Sequence, residues 1–159
     1  MKNTTNIFIV FIYTIIIIII LSNGSVAKEI NHAQKYQACM ALSKSAPQKA
    51  FDNAINWHGL GGGDAANHCI AIALIGLGQF KESAERLEEL ALNVKQKADI
   101  KVGLLAHAAQ AWILADESIR AEEVLTAALK LAPRSALIMI DRAQARAGQT
   151  NFTGAIKDL

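Results

Sequence analysis

The most reactive side chains in this sequence are four histidines and two cysteines: His32, His58, His68, His107, Cys39 and Cys69. Imidazole and thiolate are the usual zinc ligands, and a cysteine held beside a histidine can act as a nucleophile with its base. The spacing argues against both uses. Only His68 and Cys69 are close in sequence, and adjacent residues on a helix point about 100° apart, away from a shared metal. No third group is placed to orient a base against a thiol. The reading is therefore of a non-enzyme with no catalytic residue, no metal and no cofactor.

Other chemical signals also resolve to structure. The run Gly59-Leu60-Gly61-Gly62-Gly63-Asp64 opens a helix as a phosphate cradle would. It lacks the following Lys-Ser or Lys-Thr and a preceding strand, and Asp64 would repel an anion, so it reads as a linker. The pairs Glu88-Glu89 and Glu122-Glu123 lie between apolar positions and read as solvated faces. Trp57 and Trp112 stand at helical spacing and read as core.

The elements that must position these residues follow from composition. Of 159 residues, 52% are hydrophobic and 19% charged, which implies one globular core. The 16 basic and 14 acidic residues form no block of like charge, so a nucleic-acid surface is not expected. Residues 1–27 differ from the rest: Lys2, an apolar run from Ile7 to Leu21, then Ser22 to Ala27 with small residues at Ser25 and Ala27. This is the pattern of a secretory signal cleaved before Lys28. Uncleaved, residues 7–21 would be the only membrane contact, an inner-membrane anchor. The reading places residues 28–159 as one exported, periplasmic domain, in a compartment where thiols can pair.

From Lys28 onward, alanine, leucine, lysine, glutamate and glutamine dominate, which predicts an all-α domain. Breakers fall at Ser45-Ala46-Pro47, Gly59 to Gly63, Gly76 and Gly78, Asp116-Glu117, Pro133, and Gly148 to Asn151. Pro47 suits a first helical turn and Asp64 an N-cap. Between breakers the helices pair, and small residues recur at Ala38, Ala71, Ala109 and Ala143 in the first helices, and at Ala50, Ser83, Ala121 and Ala155 in the second. Both series are spaced 33, 38 and 34, the 38 reflecting a four-residue insertion within Asn93 to Asp99. A small residue at a helix crossing lets two axes approach within about 8–10 Å. Leu74, Trp112, Phe80, Phe152, Leu87 and Leu125 would fill the flanks.

With this pattern the chain resembles the tetratricopeptide-repeat family, whose 34-residue helix–turn–helix unit carries the same small and large positions and a closing proline. The third unit matches best, through Ala109, Trp112, Ala121, Leu125, Ala128 and Pro133; the first is most divergent. The resemblance covers about residues 31–159. It implies a right-handed solenoid of about four hairpins whose first helices line a concave groove that binds proteins or peptides. Family register puts His68, Ile72, Ile75, His107, Gln110, Asp141 and Gln144 on that groove. The lysine, arginine and asparagine that clamp a C-terminal carboxylate in chaperone adaptors are missing there, so that use is excluded. In the same register Cys39 and Cys69 sit on neighbouring first helices at nearly one level, which implies a Cys39–Cys69 disulfide; two buried free thiols are the alternative.

The resemblance thus predicts an envelope scaffold that holds other proteins. The alternative is a structural or oligomerising element, because the fourth unit stops at Leu159 with Ala155 and Ile156 uncovered, an end suited to self-association. A thiol or metal enzyme is the third and weakest class.

Overall fold

The computed structural model describes residues 30–95 and 98–159; the signal segment 1–27 and its cleavage site lie outside the described residues. Over Asn31–Leu159 the secondary structure is helical: α1 (His32–Ser45), α2 (Pro47–Trp57), a π-type turn (His58–Gly62), α3 (Gly63–Gly76), α4 (Phe80–Asn93), α5 (Ala98–Leu114), α6 (Ser118–Leu131), α7 (Ala136–Gly148) and α8 (Phe152–Asp158). No helix among the described residues is long and apolar enough to cross a membrane.

Local chemistry sets most helix ends. Asn31, Ser135 and Asn151 cap α1, α7 and α8, each side chain accepting a hydrogen bond from a backbone N–H three residues on. Pro47 opens α2, where its missing N–H costs nothing. Asp64 is not the cap of α3. It sits in the first turn, where its charge complements the helix dipole, and Gly62 precedes the helix without a side-chain bond.

Three helix pairs close on the same turn. Gly78, Asp116 and Thr150 adopt left-handed backbone at φ of 76°, 62° and 60°. The residue after each donates its N–H to the carbonyl five residues back: Gln79 to Leu74, Glu117 to Trp112 and Asn151 to Arg146, all at 2.9 Å. This is the Schellman arrangement, which satisfies carbonyls that a helix end leaves free. The turn between α1 and α2 lacks it and relies on Ala46 and Pro47.

Each helix packs against the next in sequence, and α1, α3, α5 and α7 also touch one another in order. This explains why α3 and α5 are apolar all round while α2 and α4 carry one apolar face: a helix with neighbours on several sides must bury most of its circumference. One core cluster joins α1, α2 and α3 through Cys39, Ala50, Ala54, Cys69, Ile70, Ala73 and Leu74; the larger one runs from Ala71 to Ala145. Ala50, Ser83, Ala121 and Ala155 are all buried, as are Ala71, Ala109 and Ala143. Ser83 fills an alanine position because its hydroxyl donates to the Ala71 carbonyl at 2.7 Å.

Several side chains depart from expectation. Ala38 is exposed, and Cys39, one place on, is buried in its stead. Phe152 is 62% exposed and fills no flank. Glu88 is half-buried, accepting from the Trp112 indole N–H at 2.5 Å while Arg120 reaches it at 3.3 Å. Glu122 binds Arg146 at 2.8 Å and Gln149 at 2.8 Å, and the Arg146 bond holds its carboxyl below the usual range. These two carboxylates tie neighbouring helices rather than face water. Gly62 is buried against Trp57, whose ring would lie 2.9 Å from an added Cβ, so the glycine run includes a packing contact.

Candidate functional site

Two clefts open along the helices that touch in order. The first, of about 360 Å³, is lined by Tyr36 of α1, Asp64, Ala65 and His68 of α3, Leu90 of α4, Val94 after it, and Ile100, Gly103, Leu104 and His107 of α5. Val94, in the insertion between the second and third units, forms part of its wall. α5 has 17 residues against 14 for α3, so its first turn extends beyond the start of α3 in repeat register, and Ile100, just after the insertion, lines the cleft from that turn.

A hydrogen-bonded chain of side chains crosses three helices at this cleft. The Tyr36 hydroxyl lies 2.7 Å from His68 Nδ1, and His68 Nε2 lies 3.0 Å from His107 Nδ1. The two imidazoles stack with centroids 5.1 Å apart. Burial, and secondarily the neighbouring His107, pushes His68 down to about 4; burial also lowers His107 and raises Tyr36. All three are therefore uncharged near neutral pH. With one N–H on each ring, two polarities satisfy the chain. Tyr36 can donate to His68 and His68 to His107, which leaves His107 Nε2–H as a donor. In the reverse order, His107 Nε2 becomes an acceptor.

Cys39 and Cys69 are paired as a disulfide with Cα atoms 6.2 Å apart, inside the range a bridge requires. The bridge joins α1 to α3 beside the chain just described: Tyr36 lies one turn before Cys39, and His68 precedes Cys69. Ser43 on α1 is buried there and donates to the Cys39 carbonyl at 2.9 Å. A bridged pair fits an oxidising, exported location.

The second cleft, of about 320 Å³, lies between α5 and α7 and is lined by Ala106, His107, Gln110, Ile113, Leu114, Asp141 and Gln144. Of the seven groove residues expected from the sequence, His107, Gln110, Asp141 and Gln144 thus meet in one place, and His107 also belongs to the first cleft with His68. Ile72 and Ile75 line neither; both are half-buried, Ile75 against the larger core cluster. Burial raises the Asp141 carboxyl.

Sequence reasoning missed Tyr36, and with it the chain to His68 and His107. It used the insertion within Asn93 to Asp99 only to account for the 38-residue spacing, whereas Val94 of that stretch lines a cleft. The remaining histidines lie elsewhere: His32 accepts from the Trp57 indole N–H at 3.0 Å, and His58 is exposed. Among the described residues no group of three or more histidines, cysteines or carboxylates is placed to hold a metal.

Comparison with known proteins finds no family model that matches the chain and no curated relative.

Proposed function

We propose that this chain is a non-catalytic binding scaffold of the tetratricopeptide-repeat kind, a right-handed solenoid of helical hairpins that holds an extended segment of another protein in the periplasm. The carrying observation is that α1, α3, α5 and α7 touch in order and bear two clefts sharing His107. A continuous run of first helices with adjoining clefts suits a chain lying across them. The recurring Schellman turns at Gly78, Asp116 and Thr150, separated by 38 and 34 residues like the two small-residue series, support the repeat reading. The bridge between α1 and α3 supports export.

The test is site-resolved photocrosslinking in the producing cell. A photoreactive residue at exposed Gln110 or Gln144 is expected to capture the same partner from both positions, and one at exposed Glu85 on α4 is not. Absence of adducts at Gln110 and Gln144, or equal capture from Glu85, overturns the proposal.

A further inference from the structure

The joint between α3 and α5 differs from the others along the row of first helices. Of the successive pairs α1–α3, α3–α5 and α5–α7, α3 and α5 touch least. The first cleft occupies the gap between them, with His68 on one wall and His107 on the other. Among the described residues, one side-chain hydrogen bond joins the two helices, between His68 Nε2 and His107 Nδ1 at 3.0 Å. The neighbouring joint is covalent, since the Cys39–Cys69 bridge ties α1 to α3. α4 packs on both α3 and α5, so the two can part only on the first-helix side, with α4 as the pivot.

The bond between the imidazoles holds a single hydrogen, and its two nitrogens have room for no second one. A first added proton leaves it intact. With the chain in its second polarity, that proton goes to His107 Nε2, which has no hydrogen-bond partner among the described residues, and His107 Nδ1–H still donates to His68 Nε2. A second proton has only His68 Nε2 to occupy. Two N–H groups then point at each other, between charged rings whose centroids are 5.1 Å apart. We infer that the His68–His107 pair is an acid-operated latch: doubly protonated, it parts α3 from α5 and opens the first cleft, while the bridge keeps α1 on α3.

The groups around the pair set the pH of this step and not its nature. From α1 the Tyr36 hydroxyl faces His68 at 2.7 Å, and on α3 itself Asp64 shares the cleft. From α4, Arg86 and Glu89 line the adjoining cleft with Asp64, and from α7, Asp141 lines the second cleft with His107. Lys95, Asp99 and Lys101 line neither of the clefts that hold the pair, nor does any charged side chain of α2 or α6. Residues 96–97 lie outside the described residues. A carboxylate beside the rings raises the pH of the second step and a cation lowers it, and neither adds a place for the second hydrogen. Burial lowers both imidazoles, His68 to about 4 with His107 as the second cause. The fold therefore favours the neutral pair, so the latch is shut at neutral pH and opens as pH falls through the lower value.

On the scaffold reading, a segment crossing from the first cleft to the second spans this joint and is released when it opens. The test needs no partner, so its failure leaves the scaffold reading to the crosslinking. The oxidised protein is titrated from neutral pH to just below 4 and followed by NMR. Ring nitrogen shifts report each proton, and through-space cross-peaks report the Tyr36–His68 and His68–His107 ring pairs, whose centroids are 5.8 and 5.1 Å apart. Uptake is expected in two steps, His68 last. The second step should abolish the His68–His107 cross-peaks and leave the Tyr36–His68 cross-peaks and the far-UV helical signal in place. Fluorescence of the neutral apolar dye Nile red should rise at the same pH, as Leu90, Val94, Ile100 and Leu104 of the cleft wall become accessible. In the double variant His68→Gln/His107→Gln, whose two amides can bond to each other at any pH, that rise should be lost. Four outcomes overturn the inference: ring cross-peaks that survive double protonation, a single uptake step shared by both rings, loss of the Tyr36–His68 cross-peaks or of helix at the same pH, and a dye response undiminished in the double variant.

Discussion

Replacing both Cys39 and Cys69 by alanine tests how far the first helix pair depends on its bridge. The two residues are 30 apart in sequence. In the chain-entropy model, opening a loop of that length frees the unfolded chain by about 12 cal/mol/K, or about 3.7 kcal/mol at 25 °C. A domain of this size is held by about 5–15 kcal/mol, so the double variant should lose between a quarter and most of its stability. The local structure offers little to offset the loss. α1 buries only Cys39 and Ser43, and its turn into α2 lacks the left-handed cap that closes the other pairs. Urea unfolding of the oxidised protein and the double variant measures the difference, with a Tm about 10–15 °C lower as its thermal counterpart. The Tyr36 signal should also change, because the bridge fixes α1 at the height where Tyr36 reaches His68. Wild-type protein alkylated under non-reducing conditions should show no free thiol. A double variant within about 1 kcal/mol of the wild type, with Tyr36 undisturbed, would refute the reasoning: α1 would then be held by packing alone.

Four further outcomes follow from the same structure. Acidification should destabilise the fold, because His68 titrates at about 4 when folded against an ordinary 6.5. The unfolded chain then binds more protons between these values, so stability is full above pH 6.5 and falls by up to about 3 kcal/mol toward pH 4; urea midpoints across this range check it, and His68→Gln should flatten the slope. Ala121→Leu, at a position with no exposed surface, should cost about 1–3 kcal/mol through overpacking, and an unchanged thermal midpoint would show that the α5–α6 crossing lies elsewhere. Thr150→Gly should raise stability by about 0.5–1 kcal/mol, because a β-branched residue at φ 60° is strained and glycine is not; a lower midpoint counts against that strain. Arg142→Ala removes two hydrogen bonds to Asp158, whose side chain is 6% exposed, and leaves that carboxylate with Arg146 alone. Hydrogen exchange over 152–158 should then quicken by about tenfold or more, a loss of at least about 1.4 kcal/mol of local protection.

The sequence by itself determined the helical class, the breakers and the small residues of the second helices. Each of these is carried by one residue or by a local run. Pro47 starts a helix through its own backbone, and a residue at a crossing must be small whatever its neighbours are, so Ala50, Ser83, Ala121 and Ala155 are buried as their spacing requires. The resemblance, not the residues alone, supplied the Cys39–Cys69 pairing. What only the tertiary structure decided is which side chains meet across helices. A shift of one residue turns a side chain by about 100°, finer than repeat spacing can resolve, and this is why Cys39 rather than Ala38 faces the core. The same limit hid Tyr36. Its contact with His68, and that of His68 with His107, depends on the rotations of α1, α3 and α5 about their own axes, which are set by packing and a bridge rather than by any segment's own sequence.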